Sequence, residues 1–158
     1  MKQREDSRKT SFGYRFAMLH RLQVAMCRKD IQDQGLQPGQ IPFVISLVHE
    51  DGPVTQDYLS ARLVIDKGTT ARAIQQLEKK GFVSRRINPE NRRQNLVSAT
   101  DKAHAVADSL IATLTCAAES FVQGFTQTEK ERVLDFMDRM LANAQHTVNR
   151  IQESNKSI

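Results

Sequence analysis

The hydrophobic pattern of this chain departs from helical spacing in one segment, and that departure limits the folds open to it. Apolar residues recur at three- and four-residue spacing over most of the sequence, which is typical of amphipathic helices. Residues 82–87 and 95–98 instead look like two strands, and a polar turn at residues 88–93 lies between them. The expected fold class is therefore mainly α with a small β-hairpin.

Capping residues and helix breakers divide the helical part of the chain. We expect helices over residues 11–33, 40–50, 55–63, 67–80, 101–122 and 127–151. Residues that favour helix N-termini stand where four of these helices begin: Thr55, Asp66, Thr100 and, in a capping box with Glu129, Thr126. Gly81 suits the left-handed position just after a helix.

The length of 158 residues favours one integrated domain with a hydrophobic core. Within it we expect an N-terminal dimerisation helix at residues 1–35, a middle region at residues 36–100 and C-terminal dimerisation helices at residues 101–158. No apolar run approaches the roughly 18–20 residues that a membrane span needs. The polar N-terminal segment also lacks the apolar core of a signal peptide. We therefore expect a cytoplasmic protein without a membrane partner.

The positive charge is concentrated in the middle region. Ten basic and four acidic residues lie between Arg62 and Lys102, a net charge of +6, whereas the whole chain carries +5. A basic block inside an otherwise balanced chain is typical of a protein that binds a polyanion. A solvated, charge-rich face is the alternative if nothing else in this segment indicates nucleic acid.

The order of the predicted helices and strands also indicates a nucleic-acid partner. Two short helices followed directly by a hairpin form a winged helix-turn-helix, here from about residue 53 to residue 100. The second helix of such a motif enters the major groove of duplex DNA with its first turns. Those turns here are residues 67–72, which are short, polar and basic. Arginines at the hairpin tip suit an adjacent minor groove.

Other classes of protein find less support in the sequence. No Ser/His/Asp set, paired carboxylates or phosphate-cradling loop accompanies the basic block, so we expect no enzyme, no catalytic residue and no cofactor. The histidines are isolated and the two cysteines are far apart, so we expect no metal site. The alternative to a DNA-binding protein is a helical adaptor whose basic segment binds an acidic protein.

Two runs in the middle region resemble a known family. The run from Gly52 to Val83, GPVTQDYLSARLVIDKGTTARAIQQLEKKGFV, resembles the helix-turn-helix of MarR-type regulators. The run from Arg86 to Thr100, RINPENRRQNLVSAT, resembles their wing. The resemblance implies a sequence-specific regulator of transcription, a repressor of MarR type, that binds double-stranded DNA.

The resemblance also implies which residues meet DNA. It places Thr69, Thr70 and Arg72 at or near DNA, on a recognition helix that begins at Lys67. It matches Arg93 with the wing-tip arginine of the family. Arg92 shares the tip, and at most one of Arg85 and Arg86 faces DNA because they alternate along a strand. The expected DNA-binding residues are Lys67, Thr69, Thr70, Arg72, Arg86, Arg92 and Arg93.

The chain departs from the family pattern at three positions. Asn91 stands where the family usually has an aspartate that helps to hold the wing, and Glu90 is a candidate substitute. Gly68 replaces a common serine, and Ala99 replaces a leucine before the closing threonine. We expect these departures to change operator preference more than the fold.

The terminal helices carry apolar stripes that predict a homodimer. The stripe of the last helix consists of Val133, Met137, Met140, Leu141, Ala144, Val148 and Ile151. Symmetric pairing would bury such stripes. The family resemblance likewise implies a homodimer, whose two reading heads would meet a pseudo-palindromic operator.

The resemblance implies a small aromatic or anionic effector as a further partner. Phe16, His20, Phe43 and Leu47 are the candidate effector-binding residues, with ordinary core packing as the alternative. We expect Cys27 and Cys116 to be buried free thiols that pack as small hydrophobes, and a redox-sensing thiol is the alternative.

Overall fold

The computed structural model describes residues 10–156, except for the side chains of Gln152, Asn155 and Lys156. The polar segment 1–9 lies outside this range. The helices are α1 (Phe12–Asp33), a 3-10 turn (Pro38–Gln40), α2 (Ile41–Val48), α3 (Gln56–Leu63), α4 (Lys67–Lys79), α5 (Asp101–Phe121) and α6 (Gln127–Lys156). The strands are β1 (Val54–Thr55), β2 (Val83–Ile87) and β3 (Asn95–Ala99). The predicted fold class is therefore confirmed.

The predicted capping interactions form. The backbone amide of Tyr58 donates to Thr55 Oγ1 over 3.1 Å, and that of Thr69 donates to Asp66 Oδ1 over 2.8 Å. Gly81 has a φ of 77°, the left-handed conformation expected after α4. Because caps satisfy amides that have no partner inside the helix, they fix where each helix begins.

The hairpin belongs to a sheet of three antiparallel strands in the order β1-β3-β2. Strands β2 and β3 pair from Val83 opposite Ala99 to Ile87 opposite Asn95. Strand β1 pairs Val54 with Val97 and was missed from the sequence. It has only two residues, too few to show an alternating pattern, and its partner is far along the chain.

The chain forms two compact units, one ending at Ala118 and one beginning at Glu119. The core of the first unit gathers buried side chains from α1 to α5 and the sheet; the largest are Phe43, Phe82, Ile31, Leu36, Leu59, Ile74, Leu77 and Leu110. This core fixes α3, α4 and the hairpin against each other. The two helices and the hairpin are therefore held by one packed core.

The second unit consists of the end of α5 and the long helix α6. The predicted capping box forms at its start: the Thr126 amide donates to Glu129 Oε2 over 2.8 Å, and the Glu129 amide donates to Thr126 Oγ1 over 3.3 Å. None of the described α6 side chains is buried within the chain. Among residues 10–156, no helix is long and apolar enough to cross a membrane.

Candidate nucleic-acid interface

The turn between α3 and α4 is tight and sets the angle of the second helix. Val64 adopts a φ of 54°, a left-handed conformation that β-branched residues rarely take. The Ile65 amide then donates to the Ser60 carbonyl over 3.0 Å, which closes the end of α3. Asp66 follows at once as the N-cap of α4. The turn therefore holds α3 and α4 in a helix-turn-helix arrangement.

The first two turns of α4 carry an organised set of polar side chains. Hydrogen bonds from the side chain and the backbone of Thr69 hold the pKa of Asp66 below its ordinary value. Arg72 donates from Nη2 to Thr69 Oγ1 over 2.9 Å. Gly68 leaves room here, since a Cβ on it would lie 3.3 Å from Asp66 Oδ1 and 3.6 Å from Arg72 Nη1. With glycine instead of the family's usual serine at position 68, the Asp66 cap and the Arg72 side chain have more space.

The prediction that Thr70 contacts DNA is corrected by its position. Its side chain is fully buried, and its hydroxyl has no hydrogen-bond partner among the described residues. Thr70 lies four residues before Ile74 and seven before Leu77, and both of these are fully buried too. Residues at this spacing share one helix face, so Thr70 faces the core. Thr69, by contrast, is only half-buried.

Lys67 is exposed and meets an acidic residue that the sequence did not single out. Its Nζ lies 2.9 Å from Asp57 Oδ1, on the first turn of α3. Asp57 also lines a small polar recess together with Arg93 of the hairpin and Thr55. The tertiary fold alone brings these residues together, because they lie on three separate segments. Asp57 is therefore a negative charge placed among the cations of the candidate interface.

The hairpin exposes three arginines, one on β2 and two in the loop, and Asn91 closes the loop. Arg86, Arg92 and Arg93 are all exposed. The Arg93 amide donates to Asn91 Oδ1 over 3.2 Å, and the Gln94 amide donates to the Asn91 carbonyl over 2.9 Å. Asn91 thus keeps a side-chain oxygen where the family usually has aspartate, and it closes the turn itself.

The two arginines of β2 lie on opposite faces of the strand, as expected for neighbouring residues. Arg85 Nη2 lies 2.9 Å from Glu78 Oε2 of α4, so it ties the strand to the helix. Arg86 is exposed on the other face of the strand. Of this pair, Arg86 is the one that remains a candidate for DNA.

A second concave site lies away from these cations, between α1, α2 and α5. It is a cavity of about 290 Å³ whose walls include His20, Val24, Cys27, Pro38, Ile41 and Leu114. His20 is therefore the one proposed effector residue on its wall. Burial raises the pKa of the Cys27 thiol, and the charge of Asp30 adds to this effect. Both changes keep Cys27 in the unreactive thiol form.

The other proposed effector residues are corrected. Phe43 and Leu47 are buried in the core and do not line the cavity, because they lie on the face of α2 that packs inward. Phe16 is exposed and stands outside the cavity wall. Cys116 is exposed rather than buried, and both cysteines are free thiols. Within residues 10–156, no cluster of His, Cys, Asp and Glu could hold a metal ion.

Comparisons with known proteins agree on one family. Residues 43–94 match the family model described as MarR family. The chain is 32% identical to a MarR transcriptional regulator from Methanosarcina mazei Go1, with a TM-score of 0.79 over 84% of this chain and 95% of that one. It is similar in fold to the crystal structure of MarR, with a TM-score of 0.80 and 21% identity over 89% of this chain and 95% of that one. An HTH-type transcriptional regulator of Bacillus subtilis, YybA, is 26% identical over 80% of this chain and 84% of its own length.

We predict that the charge of Asp66 stabilises the fold only above acid pH. Its pKa is lowered in the folded chain, so the contribution is fully present above the ordinary aspartate pKa of about 3.9 and is lost as the pH falls through the lower folded value. Asp66→Asn keeps a capping oxygen without the charge. The thermal midpoint of Asp66→Asn should lie below that of the wild type at pH 6, and the two should converge towards pH 3.

The matched control is Asp51→Asn, which removes an exposed carboxylate from the loop between α2 and β1. Its midpoint should follow that of the wild type across the same pH range. A gap between Asp66→Asn and the wild type that persists unchanged at pH 3 would show that the charge of this cap adds nothing.

Proposed function

The chain belongs to the MarR family of DNA-binding transcriptional regulators, and from this premise we propose that it acts as a homodimeric repressor. In this proposal each protomer presents one reading head, residues 53–100, to one half of a pseudo-palindromic operator. A small aromatic or anionic molecule releases the dimer from DNA. This function would place the protein in the cytoplasm. The family assignment sets aside the adaptor alternative.

The exposed cations of the reading head carry the DNA-binding part of the proposal. Lys67 and Arg72 lie on the first two turns of α4, where a recognition helix meets base edges and phosphates. Arg86, Arg92 and Arg93 extend the cationic surface along the hairpin. Thr69 is the remaining proposed contact, and it also receives the hydrogen bond from Arg72. Arg72 would exchange this bond for one to DNA.

Exposed apolar faces on the terminal helices support the homodimer. On α6, Met137, Leu141 and Ile151 of the predicted stripe are exposed, although they are large hydrophobic residues. On α1 a second stripe is exposed: Phe12, Phe16, Leu19, Leu22 and Met26. Two such contiguous faces are unusual on a monomer and typical of protein interfaces. Phe16, a candidate effector residue from the family resemblance, belongs to the second stripe.

The cavity between α1, α2 and α5 supports an effector. Its volume lies near the lower end of the range for small-molecule sites, which suits a single aromatic ring with few substituents. Two proteins of the same fold give precedents. CouR from Rhodococcus jostii was solved with p-coumaroyl-CoA, at 17% identity, and DNA binding by BpsR of Bordetella bronchiseptica is regulated by 6-hydroxynicotinic acid, at 19% identity. We place the effector of this chain against His20 in that cavity.

Binding to duplex DNA should weaken steeply with salt. Lysine and arginine side chains release condensed counterions when they neutralise phosphates, and six such contacts imply a loss of about a thousandfold between 50 and 200 mM salt. Footprinting on the DNA upstream of its own gene and neighbouring genes would first find the operator. Titrations of that duplex across salt concentrations would then give the slope. Affinity that is constant over this range would contradict the cationic interface.

Replacing Arg93 with alanine should weaken operator binding at least tenfold and leave the thermal midpoint nearly unchanged. Arg93 is exposed, so its loss removes little packing. Arg28→Ala is the matched control, because Arg28 is an exposed arginine of α1, outside the reading head. Electrophoretic mobility shifts and melting curves of both variants would measure the effect. Equal operator affinities for the two variants would contradict the wing assignment.

A lysine in place of Met137 or Val148 should separate the dimer and so abolish tight operator binding. A charge buried in the proposed interface without a partner costs on the order of 3–5 kcal/mol. Separate protomers also lose the high effective concentration of the second reading head. Light scattering beside a DNA titration would follow both losses.

Ala142→Lys is the matched control for these substitutions. Ala142 shares its α6 face with Asp135, Asp138 and Arg139, on the side opposite the stripe, and should tolerate a lysine. Dimers of Met137→Lys that still bind the operator tightly would show that the stripe is not the interface.

A further inference from the structure

Gln40 is a buried polar residue at the centre of a hydrogen-bonded network. Only 3% of its surface is exposed. Its Oε1 accepts hydrogen bonds from the Gln37 amide over 3.0 Å and from Lys80 Nζ over 3.1 Å. Its Nε2 donates to Gln76 Oε1 over 3.1 Å. Both oxygen lone pairs and one amide hydrogen are thus satisfied at a site that water reaches poorly.

The network joins the 3-10 turn to the recognition helix. Gln76 lies in the C-terminal half of α4 and Lys80 directly follows that helix. Lys80 Nζ also donates to the Gly35 carbonyl over 2.9 Å, so it binds both ends of the segment between α1 and α2. At the end of α4, Lys102 Nζ donates to the Lys80 carbonyl over 2.7 Å.

The same short segment forms one wall of the cavity. Pro38, Ile41 and Pro42 line it, and Gln40 lies between them in sequence. Residues 38–42 thus contact both the cavity and the recognition helix. A displacement of this wall would therefore reach Gln40, whose side chain is hydrogen-bonded to Gln76 of α4.

We propose that Gln40 is the positioning residue that couples occupancy of this cavity to the orientation of α4 on DNA. The proposal rests on the proposed function, and it adds the route by which an effector acts. Hydrogen bonds are directional, so a displaced Gln40 either moves Gln76 and Lys80 with it or leaves the polar atoms of its own buried side chain unpaired. Coupling between two sites requires such an element that both sites bias.

The geometry of α4 carries the displacement to the DNA. Gln76 and Lys67 are nine residues apart, which is about 14 Å along a helix. A continuous helix of this length moves as a rigid rod, so a shift at Gln76 tilts the end that carries Lys67 and Arg72. Base readout depends on bidentate contacts with narrow geometry, so a small tilt lowers operator affinity.

A double-mutant cycle tests the coupling with a permanent occupant in the cavity. Val24→Trp places an indole in the cavity wall, and the natural chain contains no tryptophan, so its emission reports on this position alone. Gln40→Met breaks the network with a side chain of similar length. Operator affinity is then measured for the wild type, both single variants and the double variant. Where the emission shows a solvent-exposed indole, Ile45→Trp on the α2 wall replaces Val24→Trp.

We expect the tryptophan to weaken operator binding by about fivefold or more when Gln40 is present, within the usual range of coupling between sites. With Gln40→Met the same tryptophan should change affinity less than twofold. Gln76→Ala, which removes only the acceptor of Gln40 Nε2, should reduce the coupling as well. Gln75→Ala is the matched control, an exposed glutamine one position away on α4, and should keep it.

The outcomes separate this inference from the proposed function. A wild-type chain that binds no duplex would refute the proposed function itself. Binding with equal loss caused by the tryptophan in both backgrounds would overturn the role of Gln40 alone. A tryptophan without any effect on operator affinity in the wild-type background would overturn the coupling of the cavity to α4. Circular dichroism and melting curves of each variant establish that folded proteins are compared.

Discussion

The burial of Ile74 and Leu77 is the interaction on which the reading head depends. Both side chains are inaccessible to solvent, and they fix the rotation of α4 about its own axis. Since each helical residue turns the direction of its side chain by about 100°, that rotation places Thr70 in the core and turns Arg72 outwards. Lys67 is exposed because it is the first residue of the helix. The Asp66 cap fixes where the helix begins, and the left-handed Val64 fixes its angle to α3. The cationic surface is thus a consequence of core packing.

Local signals explain why much of this could be predicted from the sequence. An N-cap needs only its own residue and an amide three positions on, so Thr55, Asp66 and Thr126 were recognisable without the fold. Gly81 is likewise set by the chain beside it. The prediction for Thr70 is wrong because a small polar residue on a recognition helix can face the core. Its spacing to Ile74 and Leu77 carried the contrary signal.

Features that depend on residues far apart in the chain are harder to predict from the sequence. Strand β1 exists because Val54 pairs with Val97, and the Lys67–Asp57 ion pair exists because α3 and α4 pack side by side. Neither contact has a local sequence signature. The same limit applies to the cavity: the resemblance implies Phe43 and Leu47 as effector-binding residues, but the face of α2 that they occupy packs into the core. Which side chains line the cavity depends on where α1 and α5 pack, and this is decided by the tertiary fold.

An apolar side chain could fill the buried site of Gln40, so the presence of a polar residue there needs a physical reason. Apolar packing is non-directional and tolerates several orientations of a helix. A satisfied buried network instead favours one arrangement, as polar residues do in other helical proteins where they fix register. Gln40 and Lys80 hold the C-terminal part of α4, while Asp66 caps its start and Ile74 and Leu77 anchor its middle. A helix that must present Lys67 and Arg72 to base edges with narrow geometry has a physical reason to be held by polar contacts at both ends.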